Sequence, residues 1–357
     1  MWWKERNRKR KSSGAEMKIT NNKSQITNKL QIPKGNVQNS FVWIIRLLCI
    51  VYCLYIGICI LVFPVFASTD GQGGQEIAVL KAGVGARALG MGSAFTAISD
   101  NSDAPFWNPA GLAKIKNYQI STMQTKLSTD ADHYYVSFVM PFLSGGLGIS
   151  WIQVSAGSIT QTSGTTDAYN DVENLGIFNY YSNAYLLAYG QDVAENISVG
   201  ITAKYLTTDM PGLVSIEGAS ATGYSVTPGI LYRPFNNFSI GFKIDELVNS
   251  QKWGTDTEEK APSKSRLGLA YRMEVMGNKL LMSGDISQIN SAGYVPEAGL
   301  GAELAVGDMS FRLGATDSVL TAGAGMRADR IGIDYAYVTQ ANLSKDNVHR
   351  ISLIGTW

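Results

Sequence analysis

Thiol and imidazole side chains are scarce in this 357-residue chain, which contains three cysteines and two histidines. The three cysteines, Cys49, Cys53 and Cys59, all lie within one apolar run near the N-terminus. Beyond that run the chain has no thiol for a disulfide framework, a metal site or a nucleophile. His133 and His349 belong to no sequence pattern of a Ser-His-acid triad. We therefore predict a protein that is not an enzyme and that uses no metal ion or cofactor.

A strong charge of one sign is also missing, because the formal net charge is only +1. That average combines two unlike parts. Residues 1–67 hold 11 of the 30 Lys and Arg but only Glu5 and Glu16 of the 29 acidic residues. The remainder has 19 basic and 27 acidic residues, a balance of −8. An acidic main part argues against nucleic acid as a partner.

The N-terminal part has the layout of a targeting segment. A basic, polar stretch precedes the apolar run "LLCIVYCLYIGICILVF", and the small-residue pattern Val65-Phe66-Ala67 follows it. We predict a Sec-type signal peptide over residues 1–67, with Met17 or a later codon as a possible true start. The alternative is an uncleaved transmembrane anchor, because the run is longer than a usual signal core.

Beyond residue 116 long apolar runs are absent, and apolar residues alternate with small or polar ones instead. The segments "NISVGITAKYL", "NFSIGFKID" and "RIGIDYAYV" each place their aliphatic and aromatic side chains on one face of a strand. Reading the region in this way gives about 14 strand candidates of a length that suits a tilted membrane-spanning strand. They lie near 117–126, 131–141, 145–154, 178–190, 196–207, 222–233, 237–246, 263–272, 278–288, 294–304, 308–316, 319–328, 330–339 and 347–357.

The connections between these candidates also follow a rhythm, with tight turns at one end and longer polar loops (155–177, 208–221, 247–262) at the other. Short turns on one side and long loops on the other are typical of outer-membrane barrels. We therefore predict an all-β fold, a transmembrane outer-membrane β-barrel of about 14 antiparallel strands over residues 116–357. The bacterial outer membrane is the predicted location and its lipid a predicted partner.

A soluble β-sandwich is the competing interpretation, since it alternates apolar and polar residues too. The polar face here is mostly Gly, Ser and Thr, with sparse charges of both signs, which suits the crowded interior of a closed barrel. The expected interior charges are Lys204, Lys243, Asp245, Arg266, Arg272, Asp285, Glu297, Glu303, Arg312, Arg327 and Asp334.

The segment before the first strand, from Ile77 to Ile115, does not alternate. Its glycines permit tight turns, and Pro105 and Pro109 fix the backbone on either side of Phe106 and Trp107. Asp103 and Asn108 can turn or cap the chain. We predict that residues 68–115 form a compact plug wedged against the periplasmic end of the barrel, ending in a short helix through Leu112.

Within this segment, "GARALGMGSAFTAISDNSDAPFWNPAGLA" resembles the N-terminal signature of the PorV/PorQ family, which belongs with the FadL-like outer-membrane proteins. The positions that fit are Gly85, Ala86, Arg87, Gly90, Met91, Gly92, Ala94, Phe95, Ala97, Asp100, Trp107, Asn108, Pro109, Ala110, Gly111 and Leu112. The match covers about thirty residues, and the resemblance implies a barrel of 14 strands with the N-terminal segment tucked inside.

The resemblance implies two functions. One is a structural or interaction component that handles cargo in protein secretion, with possible secretion-system or surface partners at the long loops. The alternative is a FadL-like channel for hydrophobic compounds. Such a channel needs an apolar pocket, and because the inward faces are short on large apolar residues, Ile77–Leu89 and the long loops would have to build it. A hydrolase at the barrel rim is a third possibility. The C-terminal Trp357 resembles the signal that outer-membrane barrel assembly machinery reads.

Overall fold

A computed structural model describes residues 77–127, 131–166, 172–213, 218–291, 293–317, 319–339 and 347–357. The predicted signal peptide lies outside the described residues. Between residue 77 and the first strand the chain forms three short helices, α1 (Ala78–Lys81), α2 (Ala86–Leu89) and α3 (Ala104–Trp107), followed by a 3₁₀ helix (Pro109–Lys114). No helix among the described residues is long and apolar enough to cross a membrane.

Everything that follows is built from β-strands. The strands are β1 (Gln119–Lys126), β2 (Ala131–Phe142), β3 (Gly145–Thr166), β4 (Val172–Ala194), β5 (Ile197–Asp209), β6 (Ser220–Phe235), β7 (Phe238–Asp245), β8 (Val248–Trp253), β9 (Glu258–Glu259), β10 (Lys264–Val275), β11 (Asn278–Ile289), β12 (Glu297–Val306), β13 (Met309–Thr316), β14 (Leu320–Ala328), β15 (Ile331–Val338) and β16 (Val348–Thr356).

Antiparallel pairing runs around a complete ring. Each of the strands β1 to β7 and β10 to β16 pairs with its neighbours in that order, and β16 pairs back onto β1. The result is a closed barrel of 14 antiparallel strands, which confirms the predicted fold class. A closed barrel satisfies every backbone group without leaving a sheet edge, which is what a strand protein needs in order to span lipid.

The outer surface is apolar because outward apolar and inward polar side chains alternate along the strands, as predicted. Along β5, Ile201 and Tyr205 point outward and are about half exposed, whereas Ser198, Thr202 and Lys204 are buried inside. The same outward exposure is found at Leu187 on β4 and Leu313 on β13. Large apolar side chains that stay exposed around a closed barrel form a surface suited to lipid.

The two ends of the barrel differ as the sequence predicts. Two-residue turns at 143–144, 195–196, 236–237, 276–277, 307–308 and 329–330 form one end. Tyr118 and Trp357 exchange backbone hydrogen bonds of 3.1 and 3.0 Å at the same end, closing the seam between β1 and β16. The Trp357 ring also lies 6.4 Å from the rings of both Tyr118 and Phe138, in an aromatic cluster at this short-turn end.

At the long-loop end the structure corrects the predicted boundaries. The predicted loop 155–177 is largely strand, because β3 and β4 continue to pair with each other beyond Ala156 and Tyr181, where β2 and β5 stop. The predicted loop 247–262 contains a further hairpin, β8 and β9, and β8 pairs with the upper part of β6. The extended parts of β3 and β4 and the hairpin of β8 and β9 pair only with each other or with β6, beyond the barrel wall. They therefore lack the alternation of apolar and polar residues by which the other strands were predicted.

Candidate functional site: the plug and the cavity beside it

The segment before β1 lies inside the barrel, where it forms the predicted plug. Its side chains are among the most buried of the chain, with Ala86, Met91, Phe95, Ala110 and Leu112 all at 0% exposure. The predicted position needs a correction, because the plug is not confined to the periplasmic end. Its first described residues, Ile77 and Ala78, line a cavity with Tyr180 and Trp253 near the long-loop end.

Glycines of the barrel wall make room for the plug. At each of these positions a Cβ atom would come closer than 3.0 Å to a plug atom, so any side chain would collide with the plug. The set, called here the glycine belt, consists of Gly146 and Gly148 on β3, Gly190 on β4, Gly200 on β5, Gly229 on β6, Gly241 on β7, Gly268 on β10, Gly299 and Gly301 on β12, and Gly314 on β13.

Serine and threonine side chains of the wall bind the plug backbone between these glycines. Thr202 donates a hydrogen bond to the Pro105 carbonyl at 2.8 Å, and Ser239 donates one to the Ala97 carbonyl at 2.8 Å. Ser352 accepts from the Ala86 amide at 2.9 Å. The plug helices are only four to six residues long, so most of their backbone groups have no partner within a helix. The wall supplies those partners, as buried backbone groups require.

Two glycines of the signature, Gly85 and Gly92, need the conformations that glycine allows. Both have positive φ angles, of 76° and 61°. A Cβ on Gly85 would collide with the Asp103 carboxylate, and one on Gly92 would lie 2.7 Å from the Ala315 carbonyl oxygen. Gly90 packs against Gly323 of the wall, and Gly111 packs against the Ser99 carbonyl within the plug.

The aromatic residues of "APFWNPAGL" hold the plug together. Trp107 is 1% exposed, and its indole N–H donates a 2.9 Å hydrogen bond to the Val84 carbonyl. Its ring meets Phe95 and Phe106 edge to face, with centroids 6.2 and 5.2 Å apart. The rigid Pro-aromatic-Pro sequence thus places one indole where it links the beginning of the plug to its end.

Asn108 acts as the predicted cap and also as a link to the wall. Its side-chain oxygen accepts from the Ala110 amide at 3.1 Å, which caps the 3₁₀ helix that starts at Pro109. Its Nδ2 donates to the carbonyls of Thr96 at 2.9 Å and Ile230 at 3.1 Å. A single side chain therefore joins two parts of the plug to β6.

The Asp103 side chain, predicted to cap or turn the chain, makes no capping hydrogen bond to α3. Its carboxylate accepts hydrogen bonds from Ser121 at 3.0 Å and from Asn101 at 3.0 Å. Burial raises the pKa of Asp103, and these two hydrogen bonds partly oppose that effect.

Ion pairs fasten the plug to one side of the barrel. Arg87 lies 2.6 Å from Asp100 within the plug and 2.8 Å from Glu303 on β12. Glu303 in turn pairs with Arg312 at 2.6 Å, and Arg312 pairs with Asp334 at 2.8 Å. The series extends to Arg327 at one end, 2.7 Å from Asp334, and to Arg272 at the other, 3.3 Å from Asp100.

The opposite side of the interior contains an apolar cluster among its small polar residues. Met123, Tyr135, Ile152, Leu186 and Leu206 point inward from β1 to β5 and pack in one cluster with the plug residues. The expectation that inward faces lack large apolar residues is therefore wrong for β1 to β5, where both faces of the strands carry such residues. The same expectation fits the inward faces of β10 to β15, which are mostly small or charged.

A cavity of about 390 Å³ lies beside the plug, on the side toward the long loops. Its lining includes Ile77, Leu80 and Leu89, the plug segment from which the sequence suggested a pocket could be built. Phe106 and Trp107 add aromatic surface. The remaining lining is largely charged, with Lys81, Lys204, Lys243, Lys264 and Arg266 against Asp245, Glu246, Asp285, Glu297 and Asp317.

Most of these cavity charges are paired with each other. Lys204 lies 2.6 Å from Glu246, and Lys243 lies 2.9 Å from Asp245. Lys243 also donates to the Phe106 carbonyl at 2.9 Å, and Lys264 lies 3.1 Å from Glu297. Most of the interior charges expected from the sequence are thus paired, although the Glu297 side chain is largely exposed. Glu246, which was not expected, lies in the two-residue connection between β7 and β8.

Neither of the two histidines takes part in the ion pairs described above. His133 is buried in the wall, and His349 shares a 2.7 Å hydrogen bond with the Tyr335 hydroxyl. Among the described residues, no group of His, Cys, Asp and Glu side chains has a geometry that could hold a metal ion.

No protein-family model matches the chain, and no curated protein matches its sequence. Solved structures do resemble its fold. A TodX deltaS2S3 mutant monoaromatic hydrocarbon channel aligns with a TM-score of 0.56 at 14% identity, covering 77% of this chain and 98% of that one. The CymD monoaromatic hydrocarbon channel gives 0.53 at 12% identity, covering 79% and 99%. The Pseudomonas putida toluene transporter TodX gives 0.52 at 11% identity, covering 77% and 99%.

These likenesses establish the fold alone, a closed antiparallel β-barrel like that of the channels they name. They do not support the PorV/PorQ assignment. The roles of the signature residues stay predictions, although the structure gathers most of them in one packed plug.

The glycine belt leads to a first prediction. Replacing Gly200 by Val would push a side chain into the backbone of Pro109 and Ala110. Overpacking of this kind destabilises by about 1–3 kcal/mol. We expect a lower temperature for loss of the heat-modifiable folded band in gels than for the unaltered protein.

Gly157→Val is the matched control, because Gly157 is exposed and a Cβ there would come no closer than 3.4 Å to Asn179. Equal loss of the folded band in the two variants would contradict a special role of the belt.

A second prediction concerns the ion pairs. Arg87→Gln removes the cation that Asp100 and Glu303 share, although Glu303 keeps Arg312 and Asp100 keeps Arg272 as a partner. Because neither acid is left without a cation, we expect a cost of about 2 kcal/mol, less than the ~3–5 kcal/mol of a buried pair that is broken completely. Lys114→Gln, which removes an exposed pair with Asp192, should cost at most about 1 kcal/mol. Urea unfolding in lipid vesicles measures both values. Similar costs for both variants would show that Arg87 does not fasten the plug.

Proposed function

We propose that the protein is a channel of the bacterial outer membrane that admits a small organic solute from the outside into the cavity beside the plug. The observation that carries this proposal is the cavity itself. It lies inside the barrel next to Trp107 and Phe106, on the side of the long loops. Ligand sites in proteins are typically concave, partly aromatic and supplied with a few polar groups.

The fold supports the same proposal. The structures that resemble this chain are called hydrocarbon channels or toluene transporters, and each is covered almost completely by the alignment. Most of the charges inside the barrel are paired with each other, so the lumen is not a wide aqueous pore like that of a porin. A channel that takes up one bound solute at a time fits these observations better than general diffusion.

The proposal places the chain in the outer membrane, with the short-turn end in the periplasm. Outer-membrane barrels have their short turns on the periplasmic side, and this chain has all its two-residue turns at one end. The exported remainder after residue 67 and the assembly signal at Trp357 belong to the same proposal.

A second candidate is the PorV/PorQ-type role in secretion or cargo handling, with surface partners. One observation favours it: the hairpin of β3 and β4 rises beyond its neighbours and exposes Val172, Leu175 and Ile177. Capture of a secreted protein that depends on this hairpin, without any solute uptake, would favour that role over the channel.

Uptake of a labelled aromatic solute tests the channel. Ser287 faces the cavity from β11 and is 4% exposed. We expect Ser287→Phe to fill part of the cavity and to lower toluene uptake severalfold in bacteria whose outer membrane is otherwise a barrier. The measurement is the initial uptake rate, at equal amounts of folded protein.

The matched control is Met282→Phe on the same strand, whose side chain lies on the outward face. It should leave the rate unchanged. Uptake no faster than in cells without the protein would contradict the channel.

A further inference from the structure

Arg266 is a cavity cation whose hydrogen-bond donors are only partly satisfied. It lies on β10 with its side chain 16% exposed, and its guanidinium stands 5.5 Å from the ring centroid of Trp107. One Nη atom donates a long hydrogen bond of 3.4 Å to the Ser93 carbonyl. Its Nε is buried and has no hydrogen-bond partner among the described residues. A guanidinium carries five N–H donors, so most of its capacity is unused here.

The carboxylate nearest to Arg266 is turned toward the plug backbone. Asp285 stands 4.0 Å from the guanidinium, at the limit of an ion pair. Its Oδ2 accepts hydrogen bonds from the backbone amides of Phe95 at 3.2 Å and Thr96 at 3.0 Å, and its buried Oδ1 has no hydrogen-bond partner among the described residues. The two lysines deeper in the cavity differ from Arg266, because Lys204 and Lys243 each have a carboxylate within 3 Å.

An apolar surface adjoins this guanidinium. Ile77 and Leu80 line the same cavity and are only half-buried, whereas Trp107 is buried beneath Arg266. A planar cation with donors unused, beside accessible aliphatic side chains, is suited to hold a carboxylate while those side chains pack against the body of the ligand. A pure hydrocarbon would use the aliphatic side chains but leave the guanidinium unsatisfied, which is unfavourable for a desolvated charge.

Building on the proposed function, we infer that the cavity binds a compact organic anion, an aromatic carboxylate, whose carboxylate is held by Arg266 and whose ring packs against Ile77 and Leu80. The channel would then select for an anionic head group on a small apolar body. Its solute would differ in charge from the hydrocarbons named for the similar structures.

Three probes with the same ring and different charge test this inference: benzoate, toluene and benzylamine. Binding of each to the full protein after signal removal, folded in detergent, is measured by calorimetry at neutral pH. We expect benzoate to bind most tightly. Arg266→Gln should weaken benzoate binding roughly ten- to a hundredfold, the usual effect of losing hydrogen bonds to a charged group, and should leave toluene binding nearly unchanged.

Arg266→Lys keeps the charge but loses the planar pair of donors, so it should recover only part of the affinity. Arg330→Gln is the control for charge, because Arg330 lies exposed in a turn at the short-turn end. Heat-modifiable mobility shows that each variant is folded. Tighter binding of toluene or benzylamine than of benzoate would overturn the inference, as would equal effects of Arg266→Gln and Arg330→Gln.

The outcomes also separate this inference from the proposed function. If toluene is taken up, Ser287→Phe blocks that uptake and benzoate does not bind, the anion site is overturned but the proposed channel is supported. Absence of both uptake and binding for all three probes overturns both.

Discussion

An irregular backbone enclosed in a barrel must find both space and hydrogen-bond partners in the wall, and the rest of this structure depends on that requirement. The glycine belt gives the space, since a Cβ at Gly200 or Gly301 would collide with the plug. Thr202, Ser239 and Ser352 give hydrogen bonds to backbone groups that short helices leave free. The small, polar inner face is thus explained by what it encloses rather than by contact with water.

The charges of the interior follow from the same enclosure. Burying an ionised group is costly unless it is paired and hydrogen-bonded. The series from Arg272 through Asp100, Arg87 and Glu303 to Arg312 satisfies that condition and joins the plug to β10, β12 and β13. Arg266 departs from it, with a weak ion pair and an unused Nε, and it does so where the cavity meets Trp107. A buried cation that is not fully paired raises the free energy of the folded protein. Because this one lies at a cavity wall, a ligand is expected there.

Much of this architecture could be predicted because it depends on period-2 alternation, which places Ile201 outside and Thr202 inside without reference to any distant residue. The plug could be recognised from Pro105, Trp107 and Asn108, whose rigidity and capping act locally. The cavity could not be predicted, since it depends on how strands far apart in sequence converge around Trp107. The hairpin extension of β3 and β4 escaped prediction because its pairing continues beyond the barrel, where no buried face imposes a pattern.

A plug that fills the barrel this closely is expected to close the lumen to ions, and ion conductance in planar lipid bilayers tests this most directly. The protein from Ser68 onward would be compared with a variant that lacks Ile77 to Ile115, using only heat-modifiable, folded material of each. We predict that the intact barrel passes almost no ion current and that removing the plug opens a large, steady conductance. An intact protein that conducts as well as the deletion variant would show that the plug does not close the lumen.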